Sequence, residues 1–197
     1  MDMKNLTTRT AMTLAALALG ICLCATAQAR PAHEQRSDLL MLLNAYEFRV
    51  DAKVLRKIGP EVNKLLIEVS GDPGFRPRVR NHALMALSVY PVTQTRRYLE
   101  SLLLEPSLIG NSTGTLIRRQ ALRSLGKAFG GEVVVPIANL KDDKNPQIRI
   151  AVAHALAETK SERAIPILSA WLPHEKELGV REAVDRALES FYKRGQR

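Results

Sequence analysis

A nine-residue pattern recurs four times in this chain of 197 residues and constrains its fold more than any other feature. Each copy begins with Val or Ile followed by Arg, and has Ala or Val at place five, a small residue at place eight and Leu at place nine. The copies occupy residues 79–87, 117–125, 148–156 and 180–188, so their arginines lie 38, 31 and 32 residues apart. A period of this size indicates a chain built from stacked, self-similar units.

The spacing of the apolar places predicts that each copy is an α-helix. Places one, five, eight and nine fall on one helical face, whereas a half-buried strand would alternate apolar and polar residues. A short break follows each of the first three copies and leads to a second apolar segment, at residues 93–104, 132–140 and 162–172. Each unit is therefore predicted to be a helix–turn–helix that must stack on its neighbours to bury its apolar face. The leucines at place nine are expected in the core: Leu87, Leu125, Leu156 and Leu188.

This pattern resembles the HEAT repeat family, in particular the short bacterial HEAT-like repeats that are also found in phycobilisome lyases. The resemblance depends on the V/I-R-x-x-A/V-x-x-A/S-L core and covers about residues 59–191. It is supported by prolines in two second helices and by acidic residues before some copies: Pro136, Pro166, Asp72, Asp142, Asp143 and Glu177. The copy that begins at Ile117 departs from the pattern, because no Asp precedes it and its step is about seven residues longer. The resemblance implies an all-α solenoid, an α-solenoid of stacked helix–turn–helix repeats, that serves as a protein-binding scaffold.

Residues 1–29 have the features of a secretory signal peptide. Lys4 and Arg9 give a positive start, residues 11–25 are apolar, and residues 27–29 (A-Q-A) fit the cleavage pattern. We expect cleavage after Ala29 and a periplasmic or secreted mature protein without a transmembrane segment. An uncleaved anchor is less favoured because the apolar run is short and rich in Ala.

Both cysteines lie inside this predicted signal peptide. A lipoprotein form is disfavoured, because large apolar residues precede Cys22 and Cys24 where a small residue is wanted. The mature chain would contain no cysteine, and therefore no disulfide, thiolate nucleophile or thiolate metal site. Its stability must then come from packing.

The mature chain is predicted to form one domain. Residues 30–36 are expected to be a flexible lead-in, residues 37–194 the solenoid, and residues 195–197 a frayed tail. Ser37 is a candidate N-cap for a helix over residues 38–48, and Asp51 for a second helix over residues 52–58 that ends at Gly59. Residues 105–115 are expected to be one unusually long connection, which explains the step of 38 residues.

Positive charge is concentrated in the middle of the chain. Between Arg76 and Arg123 lie eight arginines against only Glu100 and Glu105. This excess predicts either a solvated helix surface or a face for an anionic partner, and charge alone does not choose between an acidic protein, an anionic lipid and an envelope polymer. Nucleic acid is unlikely, because an exported protein rarely meets it. The candidate binding residues are Arg96, Arg97, Arg118, Arg119 and Arg123.

The repeat arginines have a structural interpretation of their own. Arg80, Arg149 and Arg181 each follow an acidic turn, and a ladder of Arg–carboxylate bonds between neighbouring units would set the stacking angle. Arg118 lacks a comparable acid before it, so we expect it to be the freest of the four.

The sequence shows no catalytic motif, so we predict that the chain is not an enzyme and needs no cofactor and no metal. The four histidines are not paired at metal-ligand spacing, and the motifs of zinc proteases, serine hydrolases and phosphate loops are absent. The favoured interpretation is an exported scaffold of the bacterial cell envelope that binds another protein along its second helices. Two alternatives are a binder of anionic envelope polymer or lipid through the arginine-rich face, and an accessory subunit of an enzyme complex.

Overall fold

All four nine-residue copies lie in α-helices, as their apolar spacing predicts. The computed structural model describes residues 30–195, so the predicted signal peptide and the last two residues lie outside the described residues. The copies fall in the first helix of each unit: α4 (Pro77–Leu87), α6 (Ser112–Phe129), α8 (Pro146–Glu158) and α10 (Leu178–Gly195). The second helices are α5 (Thr93–Leu104), α7 (Val134–Ala138) and α9 (Ala164–Trp171). Three helices precede the first copy: α1 (Ala32–Asn44), α2 (Ala52–Ile58) and α3 (Val62–Gly71).

The predicted all-α architecture is confirmed. Residues 30–195 contain no β-strand, and the helices pack against their neighbours along the chain as in a helical solenoid. Short 3-10 turns at Pro106–Leu108 and Gly130–Val133 complete two of the connections.

The residues at the four repeated places of the pattern all lie in the core. Across all copies, the residues at places one, five, eight and nine are at most 6% exposed. The predicted register is therefore correct, and each helix buries the same face. Burial of this kind stabilises the stack by about 1.5–3 kcal/mol for each large aliphatic side chain.

First helices form a tightly packed row, whereas second helices do not. Helices α4, α6, α8 and α10 each pack extensively on the next member of the row. Helix α5 packs mainly on α6, and it makes little contact with α7. Open space therefore remains between the second helices of neighbouring units.

Small residues permit the close approach within the first-helix row. The Ser124 hydroxyl of α6 donates to the Leu84 carbonyl of α4 at 2.7 Å. On the other side, a Cβ atom added to Gly126 would lie only 2.3 Å from the Ala155 carbonyl oxygen of α8. Helix α6 thus contacts the backbone of α4 through the Ser124 hydroxyl and that of α8 at Gly126.

The first helix begins earlier than the sequence predicts. Helix α1 starts at Ala32, so the prediction of a flexible lead-in is wrong for residues 32–36, and Ser37 lies inside the helix. The buried stripe is Gln35, Leu39 and Leu43 at four-residue spacing. Gln35 is polar and therefore escapes an apolar pattern, yet its side-chain oxygen accepts from the Glu61 backbone N–H at 3.2 Å. In contrast, Asp51 caps α2, as predicted.

The long connection is shorter than predicted, because part of it is helical. Helix α6 begins at Ser112, five residues before the copy at Ile117, and Asn111 caps it by accepting from the Gly114 N–H at 2.6 Å. A Cβ atom on Gly114 would lie 2.0 Å from the Leu108 carbonyl, so the 3-10 turn lies directly on the first turn of α6. The extra residues of the 38-residue step thus lengthen a helix as well as a loop.

We expect Gly126→Ala to destabilise the protein although alanine favours helices. The gain in helix propensity is about 1 kcal/mol, whereas a methyl group against the Ala155 backbone imposes an overpacking cost of about 1–3 kcal/mol. Because the methyl group would lie 2.3 Å from a backbone oxygen, we expect the upper end of this cost, and urea unfolding should show a net loss of about 2 kcal/mol. The matched control is Gly179→Ala in α10, where the added Cβ would lie 3.9 Å from Ile150 Cδ1 and stability should not fall. Equal stability of the two variants would contradict the close approach of α6 and α8.

Candidate functional site

Two repeat arginines bind the end of the α-helix that precedes their own, α3 for Arg80 and α5 for Arg118. The Nε atom of Arg80 donates to the Ser70 carbonyl at 2.9 Å, and that of Arg118 donates to the Leu103 carbonyl at 3.0 Å. Both carbonyls lie in the last turn of a helix, where no intrahelical N–H group is available and a positive charge is favourable. These arginines therefore join each unit to the one before it.

Two of the repeat arginines, Arg118 and Arg149, bind a carboxylate from the loop that opens the next unit. Arg118 Nη2 lies 2.6 Å from Asp143 Oδ2, and this pair is almost completely buried. Arg149 donates from Nε and Nη2 to the two oxygens of Glu175, each at 2.9 Å, in a bidentate arrangement. Arg149 also donates to the Asp143 carbonyl at 2.9 Å. Such arginines are held from both sides of their unit.

This geometry corrects three expectations about the repeat arginines. Arg118 is 4% exposed and doubly bonded, so it is neither the freest of the four nor available as a binding residue. Arg80 binds a backbone carbonyl and no carboxylate of the described residues. Arg181 is exposed and makes no side-chain bond to any described residue. The predicted ladder took its carboxylates from the acidic turn before each arginine. In the structure the carboxylate comes from the loop that follows, as Asp143 does 25 residues after Arg118.

The Arg149–Glu175 pair is charged at neutral pH. Hydrogen bonds from Arg149 lower the pKa of Glu175, and the Trp171 indole N–H, at 3.3 Å, acts in the same direction. A lowered carboxyl pKa means that the folded state prefers the ionised form. The pair therefore stabilises the fold fully above the ordinary carboxyl pKa of 4.5, and this stabilisation is lost as the pH falls through the lower pKa of the folded state.

The other predicted binding arginines are divided between the two rows of helices. On the second-helix row, Arg96 of α5 binds Glu100 at 2.9 Å and Glu132 at 3.2 Å, so it connects two units. Arg97 beside it is exposed and has no side-chain bond to a described residue. Arg119 and Arg123 lie on α6, in the first-helix row. The structure thus does not bring the five predicted residues into one patch.

A groove opens between the second helices α5 and α7. Leu104 at its edge is 72% exposed, which is unusual for a leucine in a helix. Both sides of the groove carry polar and apolar side chains: Arg96, Glu100, Leu103, Leu104, Pro136, Asn139 and Leu140. The row expected to form the binding face therefore offers a partly apolar surface.

On α6, Arg119 and Arg123 belong to a basic stripe that also contains Lys127. The three residues are spaced four apart and so lie on one face of the helix. None of them makes a side-chain hydrogen bond or ion pair with a described residue, and α6 contains no acidic residue. We refer to Arg119, Arg123 and Lys127 as the α6 stripe. Lys127 was missed because charge was counted by segment rather than by four-residue spacing.

The α6 stripe lies near two neighbouring first helices. Burial lowers the pKa of His154 on α8, and the positive charges of Arg123, Arg186 and Arg119 lower it further. Arg186 comes from α10, where Glu182 lies 3.6 Å from it. A groove beside the stripe has a mostly polar lining: Val50, Met85, Ser88, Gln120, Arg123, Ser124, Lys127 and Glu158.

Comparison with known families decides the nature of the repeats. Residues 108–189, which run from just before α6 into α10, match the family model described as HEAT repeats. These residues belong to the HEAT repeat family. No curated protein matches the chain in sequence. The copy at residues 79–87 lies before the matched region, yet it buries the same places as the HEAT repeats that follow it.

HEAT repeats commonly mediate protein binding, and proteins of this family generally serve as non-catalytic scaffolds. Within residues 30–195, no group of three or more His, Cys, Asp or Glu side chains could hold a metal ion. No helix among the described residues is long and apolar enough to cross a membrane.

The contacts of His82 indicate a structural role for this side chain. Its Nδ1 atom lies 2.8 Å from the Leu43 carbonyl oxygen, and its ring stacks on the ring of Phe48.

We expect Arg118→Gln to lower the free energy of unfolding by about 3 kcal/mol or more, because it leaves the Asp143 carboxylate buried without its partner. The adjacent Arg119→Gln is the matched control, since Arg119 has no side-chain partner among the described residues. It should change stability by no more than about 0.5 kcal/mol. Urea unfolding of both variants checks this, and similar values for the two would contradict a structural role of Arg118.

The pKa of His154 should lie below its ordinary value of 6.5 in an NMR titration. Arg123→Gln should raise this pKa by removing a nearby positive charge, whereas Arg97→Gln on the other row should not change it. Because the folded state disfavours the protonated imidazole, the contribution of His154 to stability is complete above pH 6.5 and declines as the pH falls below it. A pKa unchanged by Arg123→Gln would show that the α6 stripe lies farther from His154.

Proposed function

We propose that this protein is an exported, non-catalytic scaffold of the bacterial cell envelope that binds another protein. The observation that carries the proposal is the stack of HEAT repeats, a fold that commonly binds proteins through surfaces spread over several units. Export is inferred from the sequence of residues 1–29. Exposed surfaces on both rows of helices support protein binding.

Two surfaces are available to a partner, one on each row of helices. The groove between α5 and α7 combines exposed Leu104 with polar side chains. The α6 stripe offers positive charge without internal partners among the described residues. In contrast, Arg80, Arg118 and Arg149 are engaged inside the stack. These three arginines are thus separate from the surfaces that can meet a partner, whereas Arg96 both connects two units and lines the groove.

A second candidate function is binding of an anionic envelope polymer or lipid. The observation that favours it is the same unpaired positive charge of the α6 stripe. Electrostatic binding of this kind weakens steeply with salt, whereas binding in a partly apolar groove depends on salt much less. Salt dependence therefore shows whether binding uses the stripe or the groove, and the chemical nature of the bound partner separates the two functions.

The export part of the proposal predicts a mature N-terminus at Arg30. Mass spectrometry of the protein purified from its native host should find a chain that lacks residues 1–29. Retention of those residues, or a lipid attached to Cys22 or Cys24, would exclude a soluble exported scaffold.

The scaffold part predicts that one defined protein contacts the repeat surfaces. A photo-reactive amino acid placed at Leu104 or at Gln120 should cross-link the same protein in the native envelope, since the two positions border the two surfaces. Val54 of α2, which is 43% exposed, serves as the control position and should give no such product. Cross-links to lipid or polymer alone would favour the second candidate, and an equal yield from Val54 would indicate non-specific capture.

A further inference from the structure

Helix α6 carries a stripe of positive charge that the stability of the helix does not explain. Arg119, Arg123 and Lys127 follow each other at four-residue spacing, so their charges extend over about 12 Å along one face. Like charges at this spacing destabilise a helix, by about 0.2–0.5 kcal/mol for each pair. Lys127 lies in the last turn, where the helix dipole favours a cation, but this does not apply to Arg119 and Arg123.

The surroundings of the α6 stripe do not neutralise it. The positive charges of Arg119 and Arg123 act on His154 of α8 together with that of Arg186 from α10. The carboxylate of Glu158 is the acidic group that opposes them there, and it lines the same groove as Arg123 and Lys127. Three positive groups and one negative group thus act on His154, so positive charge prevails at this place on the first-helix row.

We propose that the α6 stripe binds an acidic segment of the partner protein, laid along α6. This rests on the proposed scaffold function and specifies the chemistry of its partner. Guanidinium groups bind carboxylates through paired hydrogen bonds. Carboxylates spaced about 6 Å apart, as at positions four apart on a helix, would match the spacing of the stripe.

An acidic polypeptide fits this surface better than a membrane does. Helices that bind bilayers place a broad face of large apolar side chains beside their cations, whereas the groove beside the α6 stripe mixes Val50 and Met85 with polar side chains and the carboxylate of Glu158. Glu158 adds a repulsive charge at the edge, which would reject a carboxylate in the wrong register. A polypeptide with spaced acidic groups can satisfy both features.

The test uses a fluorescein-labelled peptide of ten glutamates and measures its affinity for the purified mature protein by fluorescence anisotropy at low salt. The triple variant Arg119→Gln, Arg123→Gln, Lys127→Gln should bind the peptide about tenfold more weakly, because three exposed ion pairs are lost. The matched control is Lys57→Gln, Arg76→Gln, Arg97→Gln, which removes three exposed cations that have no side-chain bond to a described residue. It should bind within about twofold of the parent, since its cations lie outside the stripe.

Thermal melting establishes whether the stripe variant is folded, and we expect it to melt at or slightly above the temperature of the parent. The single reversal Arg123→Glu provides a second variant, which should weaken peptide binding in the same direction. Equal weakening by both triple variants would show that binding follows net charge and would overturn the proposal. Unchanged peptide binding by a folded stripe variant would overturn it as well.

Vesicles that contain phosphatidylglycerol provide the competing probe. The proposal expects them to bind the parent more weakly than the acidic peptide does. Stripe-dependent vesicle binding that exceeds peptide binding would assign the stripe to lipid. If the cross-linked envelope protein binds the stripe variant as well as the parent, the present inference fails while the scaffold function stands. If the peptide binds through the stripe but no envelope protein is cross-linked, the scaffold function fails instead.

Discussion

Unsatisfied carbonyl groups at helix ends constrain this structure, and arginines from the next unit satisfy them. Helices α3 and α5 each end with carbonyls that have no intrahelical donor. Arg80 and Arg118 supply that donor from the following first helix, and in Arg118 the same guanidinium also meets the carboxylate of Asp143. The Arg118 side chain thus links the end of α5, the helix α6 and the loop before α8. The register of the units follows from these bonds together with the buried apolar places.

The two rows of helices have different roles because they pack differently. Gly126 and Ser124 let the backbones of the first helices approach closely, so this row carries most of the packing between units. The second helices leave a groove in which Leu104 is exposed. The outward face of α6 is also open, and it carries charges that packing does not require. A rigid interior therefore supports two surfaces of different chemistry.

The sequence predicts the elements of this fold well and its long-range contacts poorly. Apolar periodicity is local, so the four copies and most second helices could be located from it. The start of α1 could not, because the stripe there begins with polar Gln35. The role of Arg118 depends on Asp143, which is distant in sequence and lies in the following loop. The α6 stripe was detectable from its four-residue spacing, but its isolation from acidic side chains required the neighbouring helices.

The bond between Arg118 and Asp143 also makes folding depend on the direction in which the chain is made. A growing chain that has emerged only as far as the end of α6 contains the arginine but not its carboxylate, which comes 25 residues later. An intermediate that buried α6 at this stage would enclose an uncompensated charge at high cost. Units coupled in this way cannot fold one at a time, as independent modules would. The units that begin with α6 and α8 both need a carboxylate from the following loop, so these repeats are coupled to their neighbours.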